Sequence, residues 1–193
     1  MKIDDSLKSV LKNRQTIRKL ACKPISQSYL DILIWAACGH THTIKDVKMR
    51  TAPSAGARYP VEIYFVIQNS DGTDDGIYYY DFEKEGMTLM KSGKCMPDIK
   101  KVSFDQEFIL NTNLAAIMTY NPDKIEPQYG PQSRKYAFLE CGHIAQNLLL
   151  MATSLGMGAV PVGAFQEKGL REFLGIDSAK KEVLYMVCVG PID

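Results

Sequence analysis

The stretch SRKYAFLECGHIAQNLLLMATSL, residues 133 to about 155, constrains the fold more than any other part of the chain. It contains no proline, and as a helix it would span roughly 35 Å at about 1.5 Å per residue. Apolar side chains fall on nearly every side of it, including Phe138, Leu139, Ile144, Leu148, Leu149 and Leu150. A helix lying on a domain surface shows one apolar stripe. This helix is therefore expected to run through the centre of the protein or through an interface. Within CGHIAQNLLLMATSLGMGAV, His143, Gln146, Asn147 and the glycines Gly142, Gly156 and Gly158 interrupt the longest apolar run, so a transmembrane span is not expected.

The remaining segments supply what such a helix packs against. VEIYFVIQ, LAAIMTY and EVLYMVCVG read as buried strands, and GIYYYDF with GMTLMK as an antiparallel pair turned by FEKEG. Asp4 is placed to cap a first helix whose Ile3, Leu7, Val10 and Leu11 share one face. Ser26 caps a second helix carrying Leu30, Leu33, Ile34 and Ala37, and Gly39 ends it. KCMPDIKKV to DQEFILN reads as partly helical, NPDKIEPQYGPQ as a surface loop and EKGLREFLG as a short helix. Strands and helices interleave without regular βαβ alternation. The pattern predicts one α+β domain over residues 1–193 with a central sheet.

Composition removes several function classes. The net charge is +1 with both signs mixed along the chain, which argues against electrostatic binding of nucleic acid. MKIDDSLKSVLKN lacks the apolar stretch of a secretion signal, and no membrane association is expected. Cys22, Cys38, Cys95, Cys141 and Cys188 are dispersed, which suits reduced thiols in a cytoplasmic protein. His40 and His42 in GHTHT have no third ligand nearby, so the segment reads as a surface loop and no metal is expected.

Three segments are placed to carry chemistry. In NRQTIRKL, Arg14 and Arg18 stand four apart with Gln15 and Thr16 between them. Two guanidiniums and a hydroxyl suit a phosphate, because each planar fork pairs with two oxygens. A solvated turn with cations at a helix end fits the same spacing. TAPSAGARYP is a run of tiny residues before a strand, open to a planar heterocycle against its backbone or merely to a tight strand start. It lacks the Gly-Lys-Ser/Thr end of a phosphate-binding P-loop, and no GxGxxG follows a strand. GMGAVPVGAF reads as a small-residue loop in which Gly156, Gly158 and Gly163 surround Pro161. A helix cap explains only Gly156.

The order of these pieces resembles the nitroreductase superfamily of flavin enzymes. It is closest to the SagB-type dehydrogenase branch with PSAGxxYP and E-x-G-H-x-x-Q-N, here residues 53–60 and 140–147. The resemblance implies a three-layer nitroreductase-like domain, a mostly antiparallel central sheet flanked by helices, and an intertwined homodimer. It further implies FMN at the dimer interface, NADH or NADPH as reductant and a small-molecule substrate. Arg14 would face the phosphate and the flavin's pyrimidine edge, Arg18 the phosphate, with Thr16 beside them. Gln15 replaces a common second arginine and would act through its backbone. Ser54, Ala55, Gly56, Ala57 and Arg58 would come from the other subunit and line the ring. Pro161, Val162, Gly163 and Ala164 would lie near its centre, where a backbone N–H can bond N5.

Two departures stand out. Gly163-Ala164 replaces a common Glu-Gly, and the sequence stops at Asp193 where relatives continue with a basic tail. Phosphate neutralisation would then rest on Arg14 and Arg18, supplemented by Arg58 or Arg134. Lys135-Tyr136 matches a pair that takes part in dehydrogenation in azole-forming relatives; a surface lysine beside a core tyrosine is the other reading. The implied function is FMN-dependent reduction of quinone- or nitro-type acceptors. An azoline dehydrogenase acting on a modified peptide and a flavin-binding module without turnover are the alternatives.

Overall fold

Two strands, Val61–Ile67 and Leu114–Tyr120, are buried along their whole length because both faces of the sheet they share are covered. The computed structural model describes residues 5–176 and 180–193; the expected cap Asp4 and the apolar Ile3 lie outside the described residues. The elements run α1 (Asp5–Asn13), α2 (Gln27–Cys38), β1 (His40–Ile44), β2 (Val47–Arg50), β3 (Val61–Ile67), β4 (Gly76–Asp81) and β5 (Gly86–Ser92). They continue α3 (Met96–Val102), β6 (Leu114–Tyr120), α4 (Glu126–Tyr129), α5 (Ser133–Ser154), β7 (Gly158–Val162), α6 (Glu167–Phe173) and β8 (Glu182–Gly190). The sheet has the order β5-β4-β3-β6-β8-β7, with every neighbouring pair antiparallel.

Alternate residues of the same strands feed two cores. Val61, Ile63, Phe65 and Ile67 of β3 pack with α2 and α5, while Tyr64 and Val66 join the α3 and α6 side. Helix, sheet and helix form the three expected layers. An antiparallel sheet usually wets one face and so alternates in sequence; this one is covered twice and reads as continuous apolar runs.

Ser26 caps α2 by accepting the Tyr29 N–H at 3.4 Å, and Gly39 ends the helix as expected. α5 sets Ala137, Cys141, Ile144, Leu148 and Ala152 into the core. Its opposite face stays at the surface of the protomer, where Phe138 is 43% and Leu139 52% exposed. Within one chain the helix is thus a flank of the core rather than its axis. Among the described residues, no helix is long and apolar enough to cross a membrane.

Three loop expectations are corrected. The middle of GMGAVPVGAF is the edge strand β7, paired with β8 from Gly158↔Gly190 to Val162↔Met186. An edge tolerates Pro161, which has no N–H to give a further strand. GHTHT belongs to the β1–β2 hairpin, whose Lys45 and Asp46 both take left-handed φ values of 46° and 65°. That turn geometry is usually signalled by Asn-Gly, which is missing here. NPDKIEPQYGPQ contains short helical turns with Pro122, Pro127 and Pro131 in their first positions, where an absent N–H costs nothing.

Gly158 and Gly190 face each other across β7 and β8, and residues 17–20 cross above them. A Cβ on Gly158 would meet Leu20 Cδ2 at 2.6 Å, and one on Gly190 would meet the Asn111 carbonyl oxygen at 2.9 Å. Gly190→Ala should therefore destabilise the protein by about 1–3 kcal/mol, the usual effect of overpacking. Gly86→Ala, whose nearest neighbour would be the Lys84 carbonyl at 3.8 Å, should stay within about 0.5 kcal/mol of the parent. Urea denaturation measures both, and equal midpoints for the two variants would contradict the tight crossing.

Candidate functional site

The sequence-predicted residues gather into two groups. In the first, the chain leaving α1 keeps one more helical bond, Arg14 N–H to the Val10 carbonyl at 2.9 Å. It then docks along β7, with the Ile17 N–H donating to the Ala159 carbonyl at 3.2 Å and the Ala21 N–H to Pro191 at 2.8 Å. This lays Arg14, Gln15, Thr16 and Arg18 along the sheet edge. Arg14 is half-buried and the other three are exposed. Neither guanidinium has a side-chain partner among the described residues. β7 runs on into Gly163 and Ala164, whose carbonyl accepts from Gln106 Nε2 at 3.1 Å. Val162 turns its side chain into the core, so only its backbone is available to a ligand. At Gly163 an added Cβ would meet only Tyr185 Cε2, at 4.0 Å, and the backbone there is open.

The second group is the loop before β3. Ala55–Ala57 form a single 3-10 turn; Gly56 and Ala57 within it, and Tyr59 beyond it, take positive φ values of 56°, 52° and 48°. Glycine adopts this region freely, whereas Ala57 and Tyr59 each cost about 1–2 kcal/mol. Contacts that hold them there are on hand. Ser54 Oγ accepts the Tyr59 N–H at 2.9 Å, and Arg58 Nε donates to Gln128 Oε1 of α4. Gly56 leaves room for the Tyr129 hydroxyl, which would lie 2.7 Å from a Cβ. Tyr129 meets Tyr136 edge-on, ring centres 5.0 Å apart, so the Lys135-Tyr136 pair lies beside the loop. Tyr136 is half-buried and Lys135 exposed.

Behind the loop is a polar cluster whose roles the sequence reading did not assign. The Arg50 guanidinium lies over the neighbouring rings of Tyr59 and Phe82, at 4.2 and 3.9 Å from their centres, and the Arg50 backbone N–H donates to the Tyr59 hydroxyl at 3.1 Å. Glu140 projects from α5 beneath it, 2% exposed, and accepts the Val61 N–H on Oε1 at 3.3 Å. The Ser54 hydroxyl is within hydrogen-bonding reach of the same carboxyl, while Oε2 completes no well-formed bond to a described residue. Two turns along α5, Asn147 Nδ2 donates to the Thr51 carbonyl at 3.2 Å. One face of the E-x-G-H-x-x-Q-N motif thus secures the loop, while Gly142, His143 and Gln146 stay exposed. The available signal was a lone acid on an otherwise apolar helix face.

Burial pushes the Glu140 carboxyl up from 4.5 to about 7, against the opposing pull of Ser54, the Val61 N–H, Arg50 and Lys124. Burial also acts to raise Glu62, but hydrogen bonds from Lys181 and Asn121 and the charge of Lys124 outweigh it and hold that carboxyl below its ordinary value. The two groups act on stability with opposite sign. Glu140 favours the folded state fully below about 4.5, and this contribution is lost as pH rises towards about 7. Glu62 contributes above its unfolded value and is lost as pH falls. Glu140→Gln should therefore remove a decline in stability on the order of 3 kcal/mol between those two pH values, leaving the acid limb in place. Denaturant titrations across the range measure it, and an unchanged decline in the variant would contradict the assignment.

Comparisons with known proteins agree with this fold. The sequence pattern of the Nitroreductase family matches residues 11–191. A nitroreductase-type protein of Methanocaldococcus jannaschii is 34% identical over 184 residues, covering 95% of this chain and 90% of its own. Two solved structures share the fold. A nitroreductase-type protein from Ralstonia eutropha superposes with a TM-score of 0.82 at 21% identity, over 97% of this chain and 83% of that one. The NADPH:FMN oxidoreductase of Vibrio harveyi, complexed with NAD+, gives 0.68 at 19% identity, over 97% of this chain and 69% of that one. With a family match from the end of α1 to the residue after β8, the chain belongs to the nitroreductase family.

Proposed function

We propose that this protein is an FMN-dependent oxidoreductase that takes electrons from NADH or NADPH and passes them to small quinone- or nitro-type acceptors. The observation that carries the reading is the pair Arg14 and Arg18, unpartnered among the described residues and laid on β7 beside the open backbone of Gly163. Unpaired guanidiniums on a docked segment suit a terminal phosphate. The fold supplies the second support, since the Vibrio harveyi enzyme named for NADPH and FMN shares it.

FMN, when bound, supplies the hydride-accepting chemistry. Arg14 and Arg18 would hold its phosphate, with Gln15 and Thr16 beside them through backbone and hydroxyl. The backbone of Pro161, Val162, Gly163 and Ala164 would face the ring on one side. Residues 54–58 would line it from a partner protomer, which makes the protein a homodimer. The apolar surface of one chain supports that arrangement. Phe138 and Leu139 join Leu7 (53% exposed) and Trp35 (48% exposed) as large apolar side chains left open. A cavity of about 470 Å³ between α1, α2 and α5 is lined by Leu7, Val10, Trp35, Leu150 and Met151 among others. Lys135 is exposed in the protomer while Tyr136 packs against Tyr129, the arrangement of a surface lysine beside a packed tyrosine, which weighs against the azoline-dehydrogenase reading.

The protein should purify yellow and release FMN rather than FAD. Under anaerobic conditions NADH or NADPH should bleach the flavin, and a quinone or nitroarene should restore its colour. A colourless protein that fails to take up added FMN would contradict the reading; bound FMN that neither nucleotide reduces would leave only a flavin-binding module.

A further inference from the structure

Ser54 sits where two demands meet. Its hydroxyl has one proton and two lone pairs. One lone pair already accepts the Tyr59 N–H, at 2.9 Å, which closes the loop. The same hydroxyl is within reach of the Glu140 carboxyl, whose Oε1 is occupied by the Val61 N–H and whose Oε2 is free to carry a proton.

We propose that Glu140 is a positioning residue for the cofactor loop, and that the proton on its carboxyl decides whether the Ser54 hydroxyl can donate to a bound flavin. The inference rests on the flavin reading above. With Glu140 protonated, its O–H donates to the second lone pair of Ser54 Oγ, and the serine's own proton is free to point outward. With Glu140 ionised, that serine proton is held by the carboxylate and the loop offers no hydroxyl donor. No bond other than hydrogen bonds is made or broken, and the single proton lost on ionisation passes to solvent.

The surroundings permit this titration near neutral pH. Arg50 from the end of β2 and Lys124 from the turn after β6 are the cations that favour ionisation, and burial opposes them and wins, placing the group at about 7. Cys141, the next residue on α5, stays a neutral thiol, held up by its own burial and by Glu140. Cys38 of α2 faces Arg50 and is also neutral, its thiol pushed up to about 12 by burial. Ser54 is itself half-buried, so the residue beside the Glu140 carboxyl is not sealed off from a ligand. Linkage then requires that flavin binds more tightly when Glu140 is protonated, and that bound flavin raises the pH at which Glu140 ionises.

The test measures the dissociation constants of FMN and of riboflavin between about pH 6 and about pH 8, for the parent protein, Glu140→Gln and Ser54→Ala. Riboflavin is included because a phosphate monoester titrates near pH 6 itself, and riboflavin has none. For the parent, riboflavin should weaken by about two- to tenfold as pH rises through the range, the effect of one neutral hydrogen bond. Glu140→Gln, whose amide donates at every pH, should bind riboflavin with the tighter affinity and no pH dependence. Ser54→Ala should bind riboflavin weakly and equally at all pH values, which keeps the test decisive if the glutamine variant folds poorly. Tight binding by the parent with a flat riboflavin profile, or a parent-like slope in either variant, would overturn this proposal alone. Failure of every protein to bind either flavin would overturn the flavin reading and this proposal with it.

Discussion

The rest of the structure depends on how α5 lies against the sheet. Ala137, Cys141, Ile144, Leu148 and Ala152 pack it onto β3, β6 and α2, and this fixes what its other positions can reach. Glu140 and Asn147, on neighbouring lines of the same helix, are held where they tie down the chain before β3. Tyr136, one turn in from the start, is placed under Tyr129 and so beside the loop with left-handed residues. The outer line, with Phe138 and Leu139, stays exposed, although the Arg134 guanidinium lies over the Phe138 ring. One helix therefore both braces one half of the candidate site and presents the surface on which a second copy would sit.

The other half of the site depends on an absence of side chains. Gly158 and Gly190 oppose each other, so the segment from Ile17 to Leu20 can settle directly onto β7 and bond to Ala159. That contact holds Arg14 and Arg18 at the sheet edge without drawing either into an ion pair with the described residues. The small residues quoted from the two loops thus have different reasons. Gly158 serves chain crossing, Gly56 serves a left-handed turn against Tyr129, Gly156 takes a positive φ of 70° after α5, and Gly163 leaves backbone open.

Much of the fold was legible because it is written in local pattern. α2 has its cap, its apolar spacing and its terminal glycine, and α5 and the buried strands are long and unambiguous. What escaped depends on partners distant in sequence. β7 is a strand because β8 offers it a ladder, although its own Gly-Ala-Val-Pro-Val has poor strand character. The β1–β2 hairpin turns on Lys45-Asp46, which carries no turn signature. Arg14, Arg18 and residues 54–58 were recognisable as candidate residues, but the Glu140 bond to Val61 spans 79 positions and could not be read from either end. Ser54, expected only as a flavin contact, has a structural duty in closing its own loop.

The central claim is that one flavin site draws its phosphate clamp from one protomer and its ring-lining loop from the other. It can be tested by forming a mixed dimer from two defective chains. One chain carries Arg18→Ala, and the other carries Gly56→Val, which strains a residue at φ 56° and would drive a side chain into Tyr129. Each variant alone should lose FMN. In the mixed dimer, a site shared between chains leaves one clamp-and-loop pair intact, so the measured flavin content should return to about one FMN per dimer, the stoichiometry expected for a shared site. A mixed dimer as empty as its parents would contradict the account, because it would place clamp and loop in the same chain.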